Sequence, residues 1–600
     1  MRSRTTKRWT LPPADARVEE LAERLKTSRL VAQLLLNRGV ADVAAGQAFL
    51  RPQLKALHDP ATLPGLPPAA ARIARAIADK EPIVIYGDYD VDGITASSIL
   101  WHAVRLLGGD VRTYIPHRVD EGYGLNSEAV TQLIDDGCKL LVTVDCGITA
   151  IDPIAAARNR GVDVIVSDHH EWRQTPDGQD LFPDTPFVVH PRLPGHDTYP
   201  NPHLCGAGVA FKLAWGVGQA VAGGGRVPEV LKNFLVEAMA LAALGTIADV
   251  VPLVGENRIL AHFGLGGLKH TKLVGVRALI DSADLTSKNI DSYHVGFLLA
   301  PRLNAAGRMG HARLAVEMLT TATEQRAADI AIYLEQQNKQ RQTTERQILA
   351  SALAQIEALK LADNRAIVVG DLGWHPGVIG IVASRIVDRF HRPAVVVAMG
   401  TPEEGGLGLG SGRSIDGFHL SKALAVVGHL LESHGGHEMA AGLKVKCEQF
   451  PAFRDAFGAH AGEAIDDAML VPTVRVDADA ELSVIDETLV QDLARLGPFG
   501  RGNPKPMLRC EKLTLTADAK RIGKTGDHLT FLVRHHGPAN GTNGGGRPMK
   551  AIAFGAGDLA EQLSAGSVVN LCVQPTINEF NGYRNVELEV KDLQVVGKSA

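Results

Sequence analysis

Apolar positions change their spacing along the chain, and each change predicts a different kind of element. Leu21, Leu25, Leu30, Val31, Leu34 and Leu35 recur at roughly helical intervals, predicting a small helical extension over residues 1–57. Pro60, Pro64, Pro67 and Pro68 then punctuate the chain. From Glu81 onward, apolar runs at 83–86, 140–144 and 162–166 read as buried strands, separated by helix-like stretches such as 96–107 and 152–160. That alternation predicts a parallel sheet covered on both faces. Between His311 and Val369 there is neither Gly nor Pro. Ala327, Ile330, Ala331 and Leu334 form an apolar stripe at one end of this stretch. Ile348, Leu349, Leu353 and Ile356 form another at the far end, and residues 335–347 are entirely polar. The pattern predicts a helix of about 55 Å, from about 324 to 360, bridging two domains with its middle in solvent. A second α/β unit follows, with strands at 366–369 and 394–398 around a helix at 379–387. After Pro472 the pattern becomes strict alternation: Leu513/Leu515, Leu529/Phe531/Val533, Val569/Leu571/Val573 and Val586/Leu588/Val590. About five short strands with Gly-rich connections predict a small OB-like β-barrel, with residues 536–547 as a hairpin loop.

The fold class is therefore α/β: two α/β domains joined by a long helix, plus a C-terminal β-barrel. The expected partition is 1–57 (helical extension), 58–322 (first α/β domain), 323–362 (bridging helix), 363–468 (second α/β domain) and 469–600 (barrel). A length of 600 residues requires several cores. Apolar residues at 45% and charged residues at 22% are ordinary soluble composition, which excludes disordered, collagen-like and coiled-coil chains. No run of about 18 apolar residues predicts a membrane span, so no membrane partner is expected. The basic N-terminus lacks the apolar stretch of a secretory signal. The six cysteines are scattered with no C-x-x-C, so neither a zinc ribbon nor a disulfide framework is expected, and a reducing cytoplasm suits the chain best.

The formal charge of -5 by itself argues against a protein coated with basic residues. Its distribution changes that picture. Residues 501–550 hold ten Lys/Arg against three acids, a segment of +7 on a remainder of -12. Phe531, Phe554, Phe580 and Tyr583 are candidates for base stacking on this basic barrel, though strand phase places Phe531 in the core.

The acids are the strongest chemical feature. The first strand runs into Asp88, Asp90 and Asp92, the second into Asp145, and the third into Asp168, His169 and His170; Asp249 lies in a separate apolar stretch. In open parallel sheets the carboxyl edge is where ligands bind. Carboxylates so concentrated repel one another unless protonated or neutralised by cations. Asp and His without Cys suit Mn²⁺ or Mg²⁺ better than structural zinc, and there are donors enough for two ions. A second set is cationic or glycine-rich: Arg118, Arg302, Asn304 and Arg308 in the first domain; Ser411, Arg413, Ser414, Gly435, Gly436 and His437 in the second. Arg binds phosphate bidentately, and paired glycines let backbone N–H groups approach an anion. Residue by residue, a surface ion pair or a plain turn is the stronger reading.

These motifs resemble the DHH phosphoesterase superfamily and, within it, the RecJ family of single-strand-specific exonucleases. Further matches are Pro301-Arg-Leu-Asn-Ala-Ala-Gly-Arg308, Ser411-Gly-Arg-Ser414, His434-Gly-Gly-His-Glu-Met-Ala-Ala-Gly442 and Pro498-Phe-Gly-Arg-Gly-Asn-Pro504. The resemblance implies that Asp90, Asp92, Asp145, His169 and Asp249 are metal ligands, with Asp145 bridging two ions. It leaves Asp88 either on a metal or behind a ligand. Asp168 would orient the histidines and His170 would face the substrate phosphate. The second, cationic set would lie across a cleft from the metals, with Ser411, Arg413 and the glycines holding a terminal 5′-phosphate. Asn338 and Arg341 on the bridging helix match the family, and a solvated helix face explains them equally.

The activity so implied is metal-dependent 5′-to-3′ hydrolysis of single-stranded DNA to 5′-mononucleotides, in DNA repair and recombination. The partners implied are single-stranded DNA, a RecQ-type helicase and a single-strand-binding protein, and the state implied is a monomer. Two alternatives differ in class. An oligonucleotide or cyclic-dinucleotide phosphodiesterase would need no basic barrel. A non-catalytic DNA-binding replication scaffold would need no complete set of acids.

Overall fold

Ile83, Val84, Ile85 and Tyr86 are all fully buried, which is why their run is uniformly apolar rather than alternating. They belong to strand Ile83–Gly87 in a five-stranded parallel sheet. Its spatial order is Val111–Tyr114, Ile83–Gly87, Leu140–Val144, Asp163–Ser167 and Val188–Val189. The structure, a computed structural model, describes all residues except 1–6, 118–120, 122–123, 176, 197–198, 225, 309–310, 402–404, 536–547, 581 and 599–600, and the side chains of 308 and 580. Helices Val91–Leu106, Gly206–Val221 and Glu229–Ala248 pack on one another beside this sheet. Helix Glu229–Ala248 is long and apolar enough to cross a membrane, but Ala238 through Thr246 are buried among these neighbours.

The second sheet has the order Ser433–Gly436, Ala440–Lys446, Leu407–Arg413, Ala394–Met399 and Ile367–Leu372. Only its last pair is parallel. Val368, Val395 and Val397 face a core with Phe453 and Phe457. Ile367, Val369 and Val396 face the opposite core, with Ile379, Val382 and Ile386 and with Ile348, Ala352 and Ile356 of the long helix. That helix spans Glu324–Ala358. Its middle is solvated on one side only: Gln336, Lys339, Gln340, Gln342 and Thr343 are exposed, whereas Asn338 is 3% exposed and Glu345 9%. Their partners are other polar side chains, which hydropathy cannot reveal.

Residues 58–251 with 263–472 make one compact unit, and residues 1–57, 252–262 and 473–600 make another. In the latter, five strands close into a barrel: Leu508–Leu515, Ser567–Phe580, Tyr583–Lys598, Met549–Ala553, His528–His535, and back to the first. The N-terminal helices are part of this body rather than a separate preface. Leu21, Val31, Leu34 and Leu35 share one core with Leu493, Leu508 and Leu571, and strand Arg8–Thr10 pairs with Thr473–Arg475. Buried Asn503 joins the pieces. Its Nδ2 donates to the carbonyls of Leu496 and Pro498, both at 2.8 Å, and its Oδ1 accepts from Arg38 Nε at 2.7 Å. The motif 498–504 is thus a structural joint of the barrel unit. Phe531 is buried, whereas Phe554 and Tyr583 are exposed. The hairpin loop expected at 536–547 lies outside the described residues.

Candidate active site

Three adjacent parallel strands deliver the acids to one edge of the first sheet. Asp90 caps helix Val91–Leu106, its Oδ1 accepting from the amides of Asp92 at 2.9 Å and Gly93 at 3.2 Å. Gly93 is required here, because a Cβ would fall 2.5 Å from the Asp88 carbonyl oxygen. Asp92 is buried and accepts from Gly206 N at 2.6 Å and Ala207 N at 2.8 Å. Those amides open helix Gly206–Val221, whose N-terminal dipole favours a carboxylate. Asp145 is 1% exposed and has a φ of 61°, in the left-handed region that Asp tolerates better than most residues. Asp249 caps the C-terminus of helix Glu229–Ala248.

His169 Nε2 lies 3.0 Å from Asp145 Oδ1 and 3.7 Å from both Asp92 Oδ2 and Asp249 Oδ2. Ligand atoms gather into groups within 4.8 Å: Asp88, Asp90 and Asp145; Asp92, His169 and Asp249; and Asp145, His169 and His170. Asp145 therefore stands where the sets meet. Burial pushes its carboxyl well above the usual range, reinforced by the charges of Asp92, Asp90, Asp88 and Asp249. Burial and Asp92 raise Asp90 likewise. Burial takes His169 down to about 4, leaving a neutral imidazole.

Asp168 stands behind the histidines. Its Oδ1 accepts from the amides of His169 at 2.7 Å and His170 at 3.1 Å and lies 2.8 Å from His170 Nδ1. Its Oδ2 accepts from Ile148 N at 2.9 Å, tying the Asp145 loop to the histidine loop. Burial opposes ionisation of Asp168, but His170, His169 and the Ile148 amide hold its carboxyl far below the usual range. Burial would likewise lower His170, yet the bond and charge of Asp168 carry it up to about 9.

Helix Ala300–Arg308 approaches the same loop. Asn304 Oδ1 accepts from Val91 N at 3.2 Å, and a Cβ on Gly307 would fall 2.4 Å from the Tyr89 carbonyl oxygen. Asn304 also lines a cleft of about 490 Å³, shared with Arg341 and Arg346 of the long helix and Arg385 of helix Ile379–Phe390. Arg302, expected at the phosphate, has protein partners here. Its guanidinium is buried, donating to the Leu298 carbonyl at 2.5 Å and pairing with Glu335 at 2.9 Å. Arg118 lies outside the described residues, and so does the side chain of Arg308.

On the second sheet, Val396, Ser411, Gly442 and Gly435 are directly opposed across four strands, so they share the face that packs against helix Ile379–Phe390. Arg413 Nη1 donates to Ser411 Oγ at 3.1 Å and to the Gly412 carbonyl at 2.8 Å. Gly380, in the first turn of that helix, makes room: a Cβ there would fall 3.0 Å from Ser411 Oγ and 3.1 Å from Arg413 Nη2. Burial lowers Arg413, a sign of a desolvated guanidinium. Gly435, Gly436 and His437 are exposed at the outer edge of the sheet, and Gly436 has a φ of 140°. Ser414 turns inward, its hydroxyl donating to the Phe418 carbonyl at 2.6 Å.

Comparison with known proteins places this arrangement. Residues 82–245 match the DHH family, N-terminal domain; residues 363–463 match the DHHA1 domain; and residues 476–592 match the RecJ OB domain. The chain is 38% identical to the single-stranded-DNA-specific exonuclease RecJ of Bacillus subtilis, over 98% of this chain and 71% of that protein. It is 34% identical to the same-named protein of Dickeya dadantii, over 94% of this chain and 96% of that one. The chain belongs to the RecJ family. The crystal structure of RecJ with Mn²⁺ from Thermus thermophilus superposes at a TM-score of 0.80 with 32% identity, covering 98% of this chain and 79% of that one. A Mg²⁺ complex of RecJ from the same organism gives 0.75.

The donor set of this chain fits divalent cations. Five carboxylates and a neutral imidazole converge, and the mutual repulsion that raises Asp145 and Asp90 is what two such charges would relieve. Sequence reasoning missed the residues that make room for these carboxylates. A Cβ on Gly206 would fall 2.5 Å from Asp145 Cβ, and one on Gly245 2.5 Å from Asp92 Oδ1. The helix-opening Cys205-Gly206-Ala207 was the available signal, but its acid lies more than a hundred residues away in sequence.

Proposed function

We propose that this chain is a single-strand-specific exodeoxyribonuclease that hydrolyses phosphodiesters from a 5′ end and releases 5′-mononucleotides. The observation that carries it is the convergence of Asp88, Asp90, Asp92, Asp145, Asp249 and His169 at the carboxyl edge of one parallel sheet. Asp145 would be shared between two Mn²⁺ or Mg²⁺ ions, with Asp88 and Asp90 on one side of it and Asp92, His169 and Asp249 on the other. When bound, the ions supply positive charge for the scissile phosphate and acidify an attacking water.

The chain's own residues do the rest. Helix Gly206–Val221 holds Asp92 in place through two amides. Asp168 fixes the orientation of the histidine pair, and His170 offers Nε2 to the phosphate. Ser411, Arg413 and the first turn of helix Ile379–Phe390 make an anion pocket for the terminal 5′-phosphate, which sets polarity. Arg302 is assigned to holding the helix of Asn304 against Glu335 rather than to substrate. The basic barrel holds the incoming strand. A helicase that opens duplex and a single-strand-binding protein that presents the strand are the partners the family resemblance implies, with the enzyme acting as a monomer.

The test compares wild type with Asp145→Asn on single-stranded and duplex DNA, in Mn²⁺ and in a chelator. Hydrolysis of the single strand by wild type with Mn²⁺ alone supports the reading. Turnover by Asp145→Asn, or equal degradation of duplex, removes it.

A further inference from the structure

Large aromatic side chains rarely stand in solvent side by side. Tyr293 and Phe297 do: they are 60% and 69% exposed, with ring centroids 4.9 Å apart and planes 28° from parallel. Four residues apart, they share one helical face, while Val295 between them and Leu299 just after them are fully buried and anchor the segment. Asp291 fixes the first turn, its Oδ1 accepting from His294 N at 3.1 Å, and the backbone then adopts a π-helical turn over Val295–Leu299. Such turns are rare and recur at functional sites. The pair is therefore a rigid feature.

Its surroundings select a ligand. Phe297 lines the cleft of about 490 Å³ together with Asn304, Arg341, Arg346 and Arg385. Arg341 and Arg385 share one acid, Glu345, at 2.8 and 3.3 Å, and with Arg346 the cleft lining carries three guanidinium groups to one carboxylate. The segment continues directly into helix Ala300–Arg308, whose Asn304 bonds the Val91 amide of the acidic loop. An aromatic face beside a cationic cleft, coupled through one helix to the metal-binding loop, matches the build of sequence-tolerant single-strand binding.

We propose that Tyr293 and Phe297 form a base-stacking subsite for the single strand within the nuclease unit itself, distinct from the aromatics of the barrel. This rests on the nuclease reading above. The flat faces would hold a base while Arg341, Arg346 and Arg385 neutralise its phosphates. The subsite would take any base, because every base has a π face.

The test uses the full chain with Tyr293→Ala, Phe297→Ala and Phe297→Trp, each checked for wild-type melting, since both residues are exposed. Binding of a short 5′-phosphorylated oligonucleotide is followed by anisotropy in chelator, and kcat/KM is followed in Mn²⁺. Alanine at either position is expected to weaken binding and kcat/KM about 5- to 100-fold, with Phe297→Trp restoring most of the loss. A series of strands with one abasic residue moved along the sequence adds a readout that a merely structural role would not change. Wild type should lose affinity at one or two positions, and Phe297→Ala should become indifferent there. Unchanged binding by both alanine variants, or an abasic profile identical to wild type, would overturn the proposal and leave the pair as a protein-docking surface. If wild type binds the strand but never hydrolyses it, the nuclease reading fails while the stacking proposal is still decided by the binding data.

Discussion

The amide of Gly206 donates to Asp92 Oδ2 at 2.6 Å, across 114 positions of sequence. A helix start and a metal-loop carboxylate are thereby locked together, and the absence of a side chain on Gly206 keeps Asp145 in place. Gly206→Ala should therefore injure catalysis without touching substrate. The added Cβ must displace Asp145 or the helix, and the apparent Mn²⁺ affinity is expected to fall about 10- to 100-fold. Metal titrations of kcat/KM read this directly. Gly245→Ala should act the same way through Asp92.

Removing the metals should cost stability, because buried like charges are then left facing one another. Wild type in chelator is expected to melt lower than in Mn²⁺, by mass action on the folded state. Asp145→Asn removes one of the repelling charges. It should melt at or above wild type in chelator and lose most of the response to Mn²⁺. Differential scanning calorimetry of the two proteins with and without metal checks both halves.

Arg413 predicts how the end of the strand is read. Arg413→Ala should lower kcat/KM on 5′-phosphorylated strands about 10- to 100-fold, the range for a hydrogen bond to a charged group, and should affect 5′-hydroxyl strands much less. Arg413→Lys should recover little, because a point charge does not reproduce the guanidinium fork. Equal losses on both substrates would assign Arg413 to folding.

His102 predicts part of the acid sensitivity. Its ring is half-buried with Nε2 at 2.8 Å from the Leu319 carbonyl, and desolvation lowers its pKa from the ordinary 6.5. The unfolded chain takes up the proton that the folded state refuses. Stability from this group is complete above about 6.5 and falls as pH drops through it. In chelator, chemical denaturation across that range should show a shallower pH slope for His102→Gln than for wild type.

Much of this architecture could be read from the chain. The strand before Asp88 and the strand before Asp145 announce themselves as uniformly buried runs, and the acids follow at their carboxyl ends. The Gly- and Pro-free stretch predicts a helix over 324–360, and the structure places one at Glu324–Ala358. What escaped depends on which partners the fold brings together and on residues too small to give a pattern. The pairing of Arg302 with Glu335 could not be read from the sequence. Asn338 and Glu345 lie in a polar run, and only the fold shows that Arg341 and Arg385 cover them. An apolar stripe on the N-terminal helices says that something must cover it, not that the barrel does. Strand Met549–Ala553 was hidden because its inward residues, Ala551 and Ala553, are small. Tyr293 and Phe297 carry no periodic signal and gain meaning only from their exposure and their cleft.

The central claim is that the acid cluster cuts single strands from the 5′ end. It is tested most directly by a digestion time course of one oligonucleotide labelled at either terminus. With Mn²⁺, the 5′ label should appear at once as a mononucleotide, while the 3′ label passes through a ladder of shortening strands. Asp145→Asn and chelated wild type should leave both strands intact. Early mononucleotide from the 3′ label, or turnover that survives Asp145→Asn, would contradict the account.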